Sequence, residues 1–184
     1  MYAIVDIETT GKLASYGRII EIAIILHDGK KELLNYSTLI NPEEKLSRDI
    51  SLLTGICDED LKGAPTFKET AEVVLHLLRG CTFVAHNVNF DLQYIRQEFH
   101  RMGISFLVKN KLCTIQLSRE LFPGLSSYSL GSLCTDLGIP LNLRHRAFGD
   151  AKATSILFSK LVLKGLHKIR KHRQTFTPTL SLWA

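Results

Sequence analysis

The sequence predicts an α/β domain of three layers with a mixed central sheet, on two observations. Short apolar runs with period-two alternation lead the chain, and from residue 66 onward helical periodicities alternate with further short apolar runs. The composition agrees with this class: 184 residues, 45% hydrophobic and 22% charged, describe one ordinary globular domain. A chain of this size buries roughly 70% of the surface its unfolded form exposes, so a single core suffices without metal or disulfide staples.

The elements follow in order. Tyr2 to Ile7 is a short apolar run ending beside acids, and Arg18 to His27 places Ile20, Ile22, Ile24 and Leu26 on one strand face. Asp28-Gly29-Lys30 is a hairpin signal, so Lys31 to Ile40 reads as a third strand antiparallel to the second. Thr66-Phe67-Lys68-Glu69 has capping-box spacing and opens a helix over 66–79, with Phe67, Ala71, Val74, Leu75 and Leu78 at helical intervals until Gly80. Thr82 to Ala85 is a buried strand, and Phe90 to Met102 a helix with Leu92, Ile95 and Phe99 on one face. Lys111 to Ile115 reads as a further strand, and helices are expected over 114–121, 129–137 and 148–168.

Several classes are excluded. The longest apolar run, Ile19 to Leu26, is cut by Glu21 and falls far short of the ~20 residues of a membrane span. The N-terminus opens into Tyr-Ala-Ile-Val-Asp without a basic, apolar leader, so a cytoplasmic location is expected and no membrane partner. Cys57, Cys81, Cys113 and Cys134 match neither a zinc-ligand nor a redox spacing and read as reduced core thiols. All 18 acids lie at or before Asp150, accompanied by 16 basic residues, whereas the last 34 residues carry seven basic residues and no acid. Such asymmetry points to a polyanion or an acidic partner.

Asp6 and Glu8 lie one residue apart on the first strand, so both side chains face the same way. They open the segment Asp6-Ile7-Glu8-Thr9-Thr10-Gly11, whose end can offer backbone N–H groups to an anion. Two further segments complete a set: His86-Asn87-Val88-Asn89-Phe90-Asp91 and His145-Arg146-Ala147-Phe148-Gly149-Asp150-Ala151. In these three motifs, in this order, the chain resembles the DEDD superfamily of 3′-to-5′ exonucleases. The match is to the branch with a catalytic His, typified by the proofreading subunit of bacterial DNA polymerase III. Asn41-Pro42, Thr54-Gly55-Ile56 and Tyr128-Ser129-Leu130 resemble the family's connecting segments, so the likeness covers residues 2 to 165. Two positions depart from it: Cys113 stands where Asp is frequent, and Thr54 where His is frequent. Neither position holds metal in the family.

The resemblance implies a ribonuclease H-like fold, with the first three strands antiparallel, and a metal-dependent 3′-to-5′ exonuclease acting on single-stranded or frayed DNA. Phosphodiester hydrolysis needs an activated water and a stabilised leaving oxygen; two Mg²⁺ or Mn²⁺ ions about 3.5–4 Å apart supply both. Hard cations take oxygen ligands, which suits Asp6, Glu8, Asp91 and Asp150 as ligands and excludes the thiols. By resemblance, Asp6 bridges both ions, Glu8 and Asp150 lie on the nucleophile side, and Asp91 lies on the other. His145, five residues before Asp150, suits the general base. Substrate contacts are implied at Ile7, Thr9, Thr10, Gly11, Thr54 and Asn89. Glu21 reads as a structural, hydrogen-bonded acid, and His86 and Asn87 as residues that shape the pocket by hydrogen bonding. Trimming of RNA 3′ ends is the alternative within the same chemistry, and a catalytically silent nucleic-acid-binding module is the alternative outside it.

The chain divides into an exonuclease domain over 1–167 and a basic, extended tail over 168–184, since Pro178 disfavours helix. Within the tail, Thr179-Leu180-Ser181-Leu182-Trp183 resembles the Gln-Leu-Ser-Leu-Phe peptide by which bacterial replication proteins dock on the sliding clamp. The peptide makes a sliding clamp, and the resemblance to a proofreading subunit a DNA polymerase, candidate partners, while the plainer expectation for the tail is that Leu180, Leu182 and Trp183 pack on their own domain.

Overall fold

The computed structural model describes the backbone of residues 1–172 and the side chains of residues 1–165. Five strands form one sheet in the order β3-β2-β1-β4-β5. They are β1 (Tyr2–Thr9), β2 (Ile19–His27), β3 (Glu32–Leu39), β4 (Thr82–Ala85) and β5 (Lys111–Cys113). The β1–β2 and β2–β3 pairs are antiparallel, while β4 runs parallel to both β1 and β5. The mixed sheet with an antiparallel leading half is thus the one expected from the sequence.

Seven helices complete the described chain: α1 (Arg48–Thr54), α2 (Asp58–Leu61), α3 (Phe67–Leu78), α4 (Val88–Arg101), α5 (Thr114–Leu121), α6 (Leu130–Asp136) and α7 (Ala147–His172). The central strands are apolar on both faces, which obliges helices to cover both. Ala3, Val5 and Ile7 of β1 join Phe67, Val74, Leu92, Ile95 and Phe99 under α3 and α4. Ile4 of β1, Ala23 and Ile25 of β2 and Val84 of β4 join Leu117, Leu133, Leu157 and Phe158 under α5, α6 and α7. A smaller cluster of Ile20, Ile56 and Leu61 seats α1 and α2.

Four expectations are corrected. Ile20 does not share a face with Ile22 and Ile24, because the β1–β2 register shifts between Glu8 and Thr9 and turns Ile20 toward the small cluster. Cys57 is exposed rather than a core thiol, and Cys81 only partly buried, although all four cysteines are free. The short helices α1 and α2 fall in a stretch with no predicted element. Helix α7 runs to His172, past the helix end expected at 168, with a break in helical geometry at Gly165, where a Cβ would crowd the Leu121 side chain. Residues 173–184, with the clamp-like peptide Thr179–Trp183, lie outside the described residues.

Candidate active site

The register of β1 against β2 builds the site. Glu8 faces Glu21, Asp6 faces Ala23 and Ile4 faces Ile25 across the antiparallel pair. This face of the sheet is apolar where Ile4 and Ile25 pack on α7 and acidic where the strand leaves the core. Asp150, in the first turn of α7, arrives over the acidic end. Carboxylate oxygens of Asp6, Glu8 and Asp150 all lie within 4.8 Å of one another. Asp91 comes from the other side of the sheet, in the first turn of α4, and is buried. Asn87, in the left-handed region at φ 79°, turns the chain between β4 and α4 and so aims Asp91 at the ends of β1 and β4. Both helices thus present an acid in the first turn, where the helix dipole favours negative charge.

The four acids are held where ionisation is unfavourable. Burial, then the charge of Asp150 and of Glu21, pushes Glu8 up to about 7, opposed by Arg146. Asp6 is raised well above the usual carboxylate range by burial and then by Asp91, Asp150, Glu8 and Glu21. Burial also raises Asp91, against the backbone N–H groups of Asp91 and Ile7, and raises Asp150 against the His145 N–H. Asp150 Oδ2 accepts the His145 backbone N–H at 3.0 Å. Its Oδ1 is buried without a hydrogen-bond partner. An orphaned buried carboxylate oxygen inside an all-oxygen cluster fits a hard divalent cation and is otherwise expensive to maintain.

His145 sits on the loop entering α7, partly exposed, with its backbone in the left-handed region at φ 60°; Leu143 is at φ 56°. Such conformations are unfavourable for residues other than Gly, so the loop must be held from outside. Gly149 holds it from below: a Cβ there would collide with the carbonyl oxygens of Asn142 and Leu143. Glu21 holds it from the sheet. Its carboxylate accepts Arg146 Nε at 3.1 Å, Arg146 Nη2 at 3.0 Å and the Ala147 N–H at 2.9 Å. The sequence marks Glu21 as hydrogen-bonded; its partner, fixed by packing across 125 residues, is not legible there.

The remaining expected residues are placed unequally. Ile7 is buried in the core under α3 and α4. The Thr9 hydroxyl and the Tyr94 hydroxyl both donate to the Gly11 carbonyl at 2.7 Å. Thr10 exchanges bonds with Arg18, its N–H donating to the Arg18 carbonyl and its hydroxyl accepting the Arg18 N–H, each at 2.9 Å. The Thr10 N–H is therefore engaged inside the loop rather than offered to an anion. Asn89 is exposed on α4 and accepts Lys111 Nζ at 2.8 Å. Thr54 is 4% exposed, donates to the Ile50 carbonyl and accepts the Ile56 N–H, so its side chain serves the turn after α1 instead of the carboxylate cluster.

His86, at the end of β4, ties that strand to α5 and to the segment before α6. Its Nε2 reaches the Tyr128 carbonyl at 3.1 Å and its Nδ1 the Thr114 hydroxyl at 2.9 Å. A carbonyl only accepts, so Nε2 carries the proton and Nδ1 accepts. Burial lowers this imidazole to about 4, which keeps it neutral. Asn87 makes no side-chain cap bond and contributes its backbone turn instead. Sequence reasoning did not single out Tyr94, Glu98 or Arg101 of α4. Yet Glu98 accepts Arg18 Nε at 3.1 Å and the Ile19 N–H at 3.2 Å, and Arg101 binds the carbonyls of Ala14, Ser15 and Gly17. Together they fix the loop after the first motif; only the polar positions on an otherwise buried helix face hinted at them.

The sequence profile of the exonuclease family (RNase_T) matches residues 3–158, which carry all three acidic motifs. The chain belongs to the exonuclease family. Among curated relatives, the 3′-5′ exonuclease DinG of Staphylococcus epidermidis is 36% identical over 170 residues, covering 92% of this chain and 18% of the relative. The PolC-type DNA polymerase III of Caldanaerobacter subterraneus is 37% identical over 164 residues, covering 89% of this chain and 12% of the relative. The chain thus spans less than a fifth of either relative's length. Solved structures share the fold at lower identity. Exonuclease X, bound to 5′ overhanging duplex DNA, superposes with a TM-score of 0.75 at 24% identity, over 94% of this chain and 98% of that one. Exonuclease I of E. coli, bound to a dA16 oligonucleotide, gives 0.81 at 18% identity, over 92% and 42%.

Proposed function

We propose that this chain is a metal-dependent 3′-to-5′ exonuclease that releases nucleoside monophosphates from single-stranded or frayed DNA ends, in the manner of a proofreading domain. The observation that carries the reading is the Asp6–Glu8–Asp150 cluster with one buried Asp150 oxygen unpartnered. The names of the relatives support the direction and the DNA substrate: a 3′-5′ exonuclease and a DNA polymerase.

Asp6, Glu8, Asp91 and Asp150 would hold two Mg²⁺ or Mn²⁺ ions, which supply an acidified water and charge neutralisation at the leaving 3′ oxygen. The protein's own groups do the rest. Asp150 accepts the His145 N–H and so couples the position of the base to that of a ligand. His145 takes the proton of the attacking water. The loop after Thr9, tied to α4, bounds the space for the terminal nucleotide, and Asn89, exposed on α4 with its oxygen held by Lys111, offers its amide nitrogen to substrate. A DNA polymerase is the partner that the second relative suggests, and clamp docking through Thr179–Trp183 stands as the proposal for the tail.

The test is a digest of matched DNA and RNA oligomers bearing one 3′-terminal mismatch, with and without Mg²⁺ or Mn²⁺. Metal-dependent release of mononucleotides from the DNA 3′ end is expected, abolished by Asp6→Ala or Asp150→Ala. Faster release from RNA would move the substrate to the alternative, and binding without release would make the chain a silent nucleic-acid-binding module.

A further inference from the structure

Glu21 poses a question that the metal chemistry leaves open. It is 4% exposed, sits directly opposite Glu8 in the β1–β2 register, and its charge raises Asp6, Glu8 and Asp150. Like charges directly opposed across strands are destabilising, and a buried acid among acids is worse. An apolar residue, like Ala23 and Ile25 on the same face of the strand, would pack there without that penalty.

What Glu21 gains is a three-point grip on one segment. Both its oxygens are engaged by the Arg146 fork, and Oε2 also accepts the Ala147 N–H. The two residues gripped immediately follow His145, and Ala147 is the first residue of α7. The same segment holds Leu143 and His145 in left-handed backbone, and it crosses Gly149 at carbonyl contact. A loop with two unfavourable conformations stays in one geometry only when its ends are fixed. One end is fixed by the Gly149 contact and the other by Glu21.

We propose that Glu21 is a positioning residue for the general base: through Arg146 and the Ala147 N–H it fixes the loop that sets His145 over the carboxylate cluster, without touching substrate. This inference rests on the reading of His145 as the base. A bidentate Arg–carboxylate pair sets orientation as well as distance, so its exchange for an amide is not conservative. In Glu21→Gln the amide nitrogen turns a donor toward the donors of Arg146 and breaks one arm of the fork. Outer-shell partners of this type are worth about 10–100-fold in activity when removed.

The experiment combines kinetics with a spectroscopic readout. Glu21→Gln should lower kcat by about 10–100-fold, with the KM for a DNA oligomer near that of wild type. In the double variant Glu21→Gln/His145→Ala, turnover should match His145→Ala alone, because a positioning residue has nothing left to position. Arg146→Lys, which keeps a charge but not the fork, should retain more turnover than Arg146→Ala. In protein labelled at histidine with ¹⁵N, the His145 ring resonances, assigned through His145→Ala, should shift or broaden in Glu21→Gln while those of His27 and His86 stay in place. An unmoved His145 signal, or Glu21 and His145 effects that multiply, would overturn the proposal. Should His145→Ala itself leave kcat unchanged, the reading of the base fails, and the ring signals still decide whether Glu21 positions it.

Discussion

At the scale of single residues, the site is organised by where charge is unwelcome. Glu8 is held up to about 7 by burial and by Asp150 and Glu21, so the folded protein binds its proton more tightly than the unfolded chain does. The sign follows: this contribution is fully present below the ordinary carboxylate range and is lost as pH rises toward 7. In EDTA at pH 8, Glu8→Gln, which mimics the protonated acid, should therefore be more stable than wild type by roughly 2 kcal/mol. The gap should close near pH 5; urea denaturation at the two pH values checks it, and a destabilised variant at pH 8 would refute the argument. On the proposed reading His145 differs from the acids in serving as the base and not as a ligand. His145→Ala should lower turnover by about 10²–10⁴, with Mg²⁺ affinity by calorimetry largely unchanged. A loss of metal affinity that excess Mg²⁺ restores would instead make it a ligand.

At the scale of elements, the sequence was legible wherever local pattern and tertiary role coincide. The Thr66 capping box forms as expected, with the Thr66 hydroxyl and the Glu69 carboxylate bonding reciprocally. β2 and β4 were readable as apolar runs, and the three acidic motifs marked the acids of which Asp6, Glu8 and Asp150 come within 4.8 Å of one another. Helices α1 and α2 were not legible. Of the seven residues of α1 only Thr54 is buried, and Leu52 and Leu53 point outward, so no apolar period marks it. The Ile20 face was missed because a register shift is a property of two strands, not of one. The same contrast gives a paired prediction. Thr66→Ala should cost about 1 kcal/mol in stability and leave turnover alone, since α3 lies away from the carboxylates. Gly149→Ala should cost more, about 2–4 kcal/mol, and also lower turnover, because the added methyl displaces the Asn142–Leu143 carbonyls and with them His145. Denaturant melts and a single-oligomer rate assay on both variants test the contrast.

At the scale of the whole molecule, the sheet brings together acids that are far apart in the chain, and the fold holds them with too little positive charge of its own. Arg146 is the cation that opposes the shift at Glu8, and it is shared with Glu21. The native state without metal is therefore strained by its own site, and a divalent cation should stabilise it. Binding to the native state alone adds RT ln(1 + [L]/Kd), about 2.7 kcal/mol at a hundredfold excess over Kd. The size of the effect depends on pH, because a cation must displace the protons that burial favours. Glu8 is half-protonated near pH 7, so apparent metal affinity should fall as pH drops from 8 to 6. His86 adds an acid-side trend opposite to that of the Glu8 proton: its ring is neutral in the fold down to about 4 but charges near 6.5 when unfolded, so its stabilisation is complete above 6.5 and is lost as pH falls toward 4. Below pH 6 this one residue thus removes up to roughly 3 kcal/mol, with or without metal and against the gain from the protonated acids, so the loss is read by comparison with His86→Asn. Thermal melts with 10 mM Mg²⁺ or Mn²⁺ against EDTA, at pH 5, 6 and 8, separate the two effects. The metal-dependent rise in Tm should be largest at pH 8, small at pH 6, and absent at every pH in Asp150→Asn, whereas the acid-side loss should persist in that variant. A rise in Tm that Asp150→Asn retains at pH 8 would place the cation somewhere other than the carboxylate cluster.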